Sequence, residues 1–222
     1  MLNSNDTIAA IATPPGQGGV GIVRLSGPQS LPIADRLFAP ARPTARLGRR
    51  LSHGALRDPR SGALLDEGLC CLMVAPRSYT GEDVVEFHCH GSPIVLREVL
   101  AGCLSLGARL ANRGEFTLRA FLNGRMDLAQ AEAVMGLVGA RTATAAQVAA
   151  HALRGALAQH LTPLEEGLTG TLAYLEAAID FTEEDLPEQA APELADAVER
   201  TRAELERLLL RAGHGALLRD GV

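Results

Sequence analysis

A chain of 222 residues can bury a core without disulfide staples, and 47% hydrophobic against 21% charged residues excludes an intrinsically disordered segment. A net charge of −5 gives no general attraction to polyanions, so nucleic-acid binding does not follow from charge alone. All 21 basic side chains are arginine, which excludes Schiff-base and pyridoxal-phosphate chemistry and any GxxxxGK[ST] nucleotide loop, since each needs a lysine.

In chain order, MLNSNDTIAA carries no basic segment followed by an apolar core, and no stretch approaches 18 uninterrupted apolar residues, so the expected location is cytoplasmic. Residues 7–12, 20–26, 51–57, 65–74, 83–90 and 108–111 are apolar or alternating runs bounded by Gly and Pro, and they predict strands. Two helices interrupt them. One covers residues 29–37 after the Gly27-Pro28 turn, and the other covers 93–106, with Pro93 in its first turn. Residues 39–50, rich in Pro and Arg, read as an exposed loop.

From Glu115 onward the strand signals stop. Asp127 and Gln130 are spaced as a capping box ahead of Leu128, Ala131, Met135 and Val138 at helical intervals. Ala145, Val148, Ala149, Ala152, Leu153, Ala156 and Leu157 form one small-residue stripe on a second helix. Leu164 to Ile179 and Leu194 to Leu208 repeat at three to four residues, predicting two more. Residues 181–192 are acidic and punctuated by proline, and the closing HGALLRDGV carries no capping signal and reads as cut rather than finished.

The predicted fold class is therefore α+β: a β-rich domain over residues 1–118, then an all-α partial bundle over 119–222. Charge divides the same way, 12 Arg against 10 carboxylates in the first part and 9 against 16 in the second. Cys70, Cys71, Cys89 and Cys103 lie in apolar runs without CxxC spacing, which favours buried free thiols over disulfides or metal ligands.

Four constellations bear on function. Gly16, Gly18 and Gly21 match GxGxxG, but a strand rather than a helix follows them, so a tight inter-strand loop is the better reading than a phosphate site. In DVVEFHCHG, alternation puts Glu86, His88 and His90 on one strand face. A carboxylate there can accept two parallel hydrogen bonds from an amino-pyrimidinone edge, as in a pterin or guanine; the alternative is a solvated strand face. His88 and His90 point the same way but lack an evident third metal ligand. Arg24 is out of pattern beside Val20 and Ile22, and needs either a salt bridge or an anionic ligand. Arg119 and Arg125 flank a helix end at Asn123-Gly124 and, taken alone, read as surface arginines.

The stretches DTIAAIATPPGQGGVGIVRLSG, SYTGEDVVEFHCHGSP, GEFTLRAFLNGRMDLAQAEAV, LEAAIDFTEED and LLRDGV together resemble the tRNA modification GTPase family called MnmE or TrmE, in that family's order. The resemblance implies a tetrahydrofolate-binding-like N-terminal domain that forms a homodimer and binds formyl- or methylene-tetrahydrofolate. It further implies the first part of a helical domain, into which the family inserts a GTPase domain using GTP, Mg2+ and K+. With an FAD-containing partner, the complete family protein adds an aminomethyl-type group to carbon 5 of the wobble uridine of certain tRNAs. The family's folate contacts carry over to Arg24, Glu86 and Arg125, the last where lysine is usual. No catalytic residue and no metal ligand is implied within this chain. Gln17, Cys89, Ser92 and Asn112-Arg113 also depart from the family pattern. A free-standing folate-dependent transferase would instead need an acid or base near the ligand, for which Asp83 and His88 are candidates.

Overall fold

The computed structural model describes residues 6–41, 51–180 and 190–220, in two compact units that meet between Met126 and Asp127. The predicted loop at 39–50 and the acidic segment at 181–192 fall mostly outside the described residues.

The first unit is built on a seven-stranded sheet. Its strands are β1 (Ile8–Ile11), β2 (Gly18–Ser26), β3 (Phe38–Pro40), β4 (Ser52–Arg57), β5 (Leu64–Met73), β6 (Val84–Gly91) and β7 (Arg109–Leu110), in the spatial order β3-β4-β5-β6-β2-β1-β7. Every neighbouring pair is antiparallel except β1 and β7. Six of the seven strands coincide with the predicted runs. The exception, β3, lies where a loop is expected: three residues are too few to show alternation, and the strand exists through its pairing with β4.

Helices α1 (Ser30–Leu37) and α2 (Pro93–Ser105) cover one face. Against them the sheet sets Ala9, Val23, Leu25, Cys70, Leu72, Val85, Phe87 and Cys89, which pack with Ile33, Leu37, Leu96, Val99 and Cys103. The alternation of Val, Leu and Phe with polar residues along β2 and β6 therefore places a core on one side and leaves the side chains of Ile22, Arg24, Glu86 and His88 on the other. Close packing constrains the joints. Gly21 lies under Leu96, where an added Cβ would come within 2.5 Å of a methyl group. Gly27 turns the chain into α1 at φ +127°, where a Cβ would meet the Asp6 carbonyl at 2.5 Å. Thr7, itself buried, accepts the Gln29 N–H through Oγ1 at 2.8 Å and supplies the cap that the start of α1 lacks locally.

Helix α3 (Glu115–Leu122) belongs to this first unit and ends at Asn123 and Gly124, the latter at φ +67°. The second unit comprises α4 (Leu128–Val138), α5 (Ala143–Leu153), α6 (Ala156–Asp180) and α7 (Ala190–Asp220). The capping box forms as its spacing predicts: Asp127 accepts from the Gln130 N–H at 2.7 Å, and the Gln130 side chain accepts from the Asp127 N–H at 2.8 Å. The stripe from Ala145 to Leu157 is corrected. Gly155 at φ +78° breaks it, so that Ala156 and Leu157 begin α6 rather than complete α5. Helix α7 extends well past the predicted repeat, which ends at Leu208.

Candidate functional site

The register of β2 against β6 sets Arg24 directly opposite Glu86. Arg24 Nε donates to Glu86 Oε1 at 2.7 Å, and His88 Nε2 lies 3.3 Å from Glu86 Oε2, so each carboxylate oxygen has one partner. The three side chains are 27%, 15% and 23% exposed, on the sheet face turned away from α1 and α2. An ionised carboxylate offers about four lone-pair sites. Two are taken here, and the remainder can serve a ligand. The salt-bridge reading of Arg24 and the ligand reading are thus not exclusive.

Two aromatic rings accompany the pair. The Arg24 guanidinium carbon lies 5.5 Å from the centre of the Tyr79 ring and 5.7 Å from that of Phe116. Tyr79 comes from the segment between β5 and β6, and Phe116 from the first turn of α3. Arg125 lies by the same segment: its Nε donates to the Ser78 carbonyl at 3.1 Å, and its stem passes beside Gly81. Asn123 Nδ2 donates to the Thr80 carbonyl at 2.8 Å, and the Tyr79 hydroxyl pairs with Thr117 Oγ1 at 2.9 Å. The structure therefore joins Arg24 to Glu86 directly, and links Arg125 to them through residues 78–81.

The residue that sequence reasoning misjudged is Arg119. It is 6% exposed, not a surface arginine, and bonds Asp6, the Asp6 carbonyl, Glu82 and Glu115. Arg109 reaches Asp6 at 2.8 Å and Glu115 at 2.6 Å. Ser26 Oγ adds a 2.6 Å bond to Glu82. The Glu115 side chain is 1% exposed, yet the Arg109 guanidinium outweighs its burial. With help from the Asn112 N–H and Arg119, it holds the carboxyl down to about 2. Arg109 also holds Asp6 below its usual range. This network fastens α3 to the sheet, and α3 carries Phe116 and Thr117. The one available signal was the i,i+4 spacing of Glu115 and Arg119 on a short helix.

The remaining candidates separate. His90 binds Asp66 through both its ring Nδ1 and its backbone N–H, each at 2.7 Å, and this carboxylate raises the ring's pKa. His88 and His90 thus have different carboxylate partners, and among the described residues no group of three or more His, Cys, Asp or Glu is placed to hold a metal. Asp83 Oδ1 accepts the Ala75 N–H at 2.9 Å. All four cysteines are free thiols; burial pushes Cys70, Cys89 and Cys103 up to about 12. The glycine loop leads into β2, as its sequence context predicts.

Residues 7–125 match the family described as the N-terminus of the GTP-binding protein TrmE, and residues 128–222 match the MnmE helical domain. The chain belongs to the MnmE family. Proteins called tRNA modification GTPase MnmE from Cyanothece sp. and Synechococcus elongatus are 50% and 48% identical to it over its whole length. One from Chloroflexus aurantiacus is 48% identical over 98% of it. The chain spans about half the length of these MnmE relatives, 48%, 48% and 47% respectively. It holds the MnmE N-terminal and helical domains, and no helix among its described residues is long and apolar enough to cross a membrane.

Proposed function

We propose that this chain is the part of a tRNA-modifying GTPase that binds a formyl- or methylene-tetrahydrofolate through Arg24, Glu86 and Arg125. In this reading the β-rich unit forms a homodimer in the cytoplasm. The whole protein, with an FAD-containing partner, adds an aminomethyl-type group at carbon 5 of the wobble uridine of tRNA. GTP hydrolysis, with its Mg2+ and K+, belongs to sequence outside this chain, which has no lysine to reach the β- and γ-phosphates.

The observation that carries the reading is the Arg24–Glu86 pair, partly exposed on the sheet face away from the core and flanked by Tyr79 and Phe116. Its donor set fits the cofactor. Glu86 retains acceptor sites for the two N–H groups of an amino-pyrimidinone, the rings offer an apolar flank, and a guanidinium suits a carbonyl or carboxylate oxygen. When bound, such a cofactor supplies a one-carbon unit; the protein's part is to hold and orient it.

Calorimetry with 5-formyltetrahydrofolate tests this. Glu86→Gln keeps the side chain's size but replaces an acceptor oxygen with an NH2 group. It should weaken binding by about 1.5 to 3 kcal/mol, the range for charge-assisted hydrogen bonds. Unchanged affinity would remove Glu86 from the site.

A further inference from the structure

Among the described residues Arg24 commits only one of its donors. Its Nε is bonded to Glu86, and neither Nη is hydrogen-bonded to any described residue. The guanidinium carbon lies over the rings of Tyr79 and Phe116, within cation–π range of both. A ring attracts the cation without taking up its N–H donors, whereas a second carboxylate would consume them.

Both rings are themselves held. The Tyr79 hydroxyl is paired with Thr117, and its neighbours Ser78 and Thr80 are bonded through their carbonyls to Arg125 and Asn123. Phe116 sits on α3 between Glu115 and Arg119, the two residues that fasten that helix to the sheet. Tyr79 and Phe116 are both half-buried.

We propose that Tyr79 and Phe116 are positioning residues of the ligand site: their rings set the plane of the Arg24 guanidinium, keeping Nε on Glu86 and its Nη edge open to an acceptor oxygen of the ligand. The recognised chemistry is then a pair of N–H donors facing Glu86 beside a carbonyl oxygen facing Arg24, which is the edge of an amino-pyrimidinone. This rests on the reading of Arg24 and Glu86 as ligand contacts.

The test compares Tyr79→Met, Phe116→Met and Tyr79→Phe in the 222-residue chain. Folding is followed by circular dichroism, the Arg24 Nε–H signal by 15N NMR without ligand, and affinity for 5-formyltetrahydrofolate by calorimetry. Each Met variant, folded, should shift and broaden the Arg24 signal and bind about tenfold more weakly, while Tyr79→Phe keeps both properties, since it keeps the ring. Folded Met variants with an unmoved Arg24 signal would overturn the proposal. So would a Tyr79→Phe loss equal to that of Tyr79→Met, which would assign the effect to the hydroxyl and Thr117. Arg24→Lys is the second arm: an ammonium cannot lie flat on a ring, and an Arg24→Lys protein binding as tightly as the original would overturn the proposal even if a Met variant failed to fold. If the unsubstituted chain binds no folate, the functional reading fails, and the ligand-free Arg24 signal still decides whether the rings position that side chain.

Discussion

Arg119 shows how a charged side chain reads differently in sequence and in place. Its neighbours in GEFTLRAFL are those of an ordinary amphipathic helix, and its partners Asp6 and Glu82 lie far away along the chain. Replacing it with Met would take the shared cation from Asp6, Glu82 and Glu115 and leave them only Arg109, Ser26 and the Asn112 N–H. The loss should approach that of a broken buried pair, about 3 to 5 kcal/mol, and is read by denaturant unfolding. Glu115 adds a pH dependence of definite sign. Its carboxyl is near 2 in the folded state against an ordinary 4.5, so the unfolded chain takes up its proton first as pH falls. The stabilisation is fully present above about pH 4.5 and is lost as pH drops towards 2, amounting to about 3 kcal/mol. Asp6 titrates with the same sign. Denaturant unfolding followed by circular dichroism at pH 6 and pH 3 should show about two-thirds of this loss, and Glu115→Gln should flatten the difference. An equal pH slope in the variant would show that Glu115 is not its source.

Local rules succeed where an element is settled by its own residues. The Asp127–Gln130 box and the proline at the start of α2 fall where their spacing places them. Gln130 also does something that spacing does not reveal: its Nε2 donates to the Leu153 carbonyl at 3.0 Å, closing the end of α5 as well as the start of α4. Asp127→Ala should therefore cost about 1 kcal/mol at the cap itself, within the range for such losses. Gln130→Ala, which removes the amide that reaches the Leu153 carbonyl, should loosen the end of α5 as well. Hydrogen exchange on the 153–157 amides reports that second effect. Faster exchange confined to the first turn of α4 in Gln130→Ala would restrict the role of Gln130 to its own helix. The single stripe read across residues 145–157 failed for a related reason: helical periodicity continues through Gly155, while its left-handed backbone does not.

At the scale of the whole molecule, the proposed homodimer follows from the family reading and carries its own check. A stable dimer through the β-rich unit should bury at least about 1,200 Å² in total. Sedimentation at micromolar concentration, with and without folate, should report two chains; a monomer under both conditions would contradict it. The helical unit leaves Leu168, Leu172, Leu175 and Ile179 between 43% and 72% exposed, in agreement with the apolar repeat read along α6. Much of this architecture was legible in the chain itself. Alternation in VVEFHCHG put Glu86 and His88 on one face and Phe87 in the core, and the order of motifs marked the family and both kinds of domain. Periodicity reports which way a side chain points relative to its own element, because backbone geometry is repeated residue by residue. It carries no information on which element lies opposite. Only the tertiary structure brought Arg24 against Glu86, 62 residues apart, set Tyr79 and Phe116 beneath that guanidinium, and turned Arg119 inward to Asp6, 113 residues away. Those pairings depend on strand register and on the docking of α3, which are settled by packing across the whole unit.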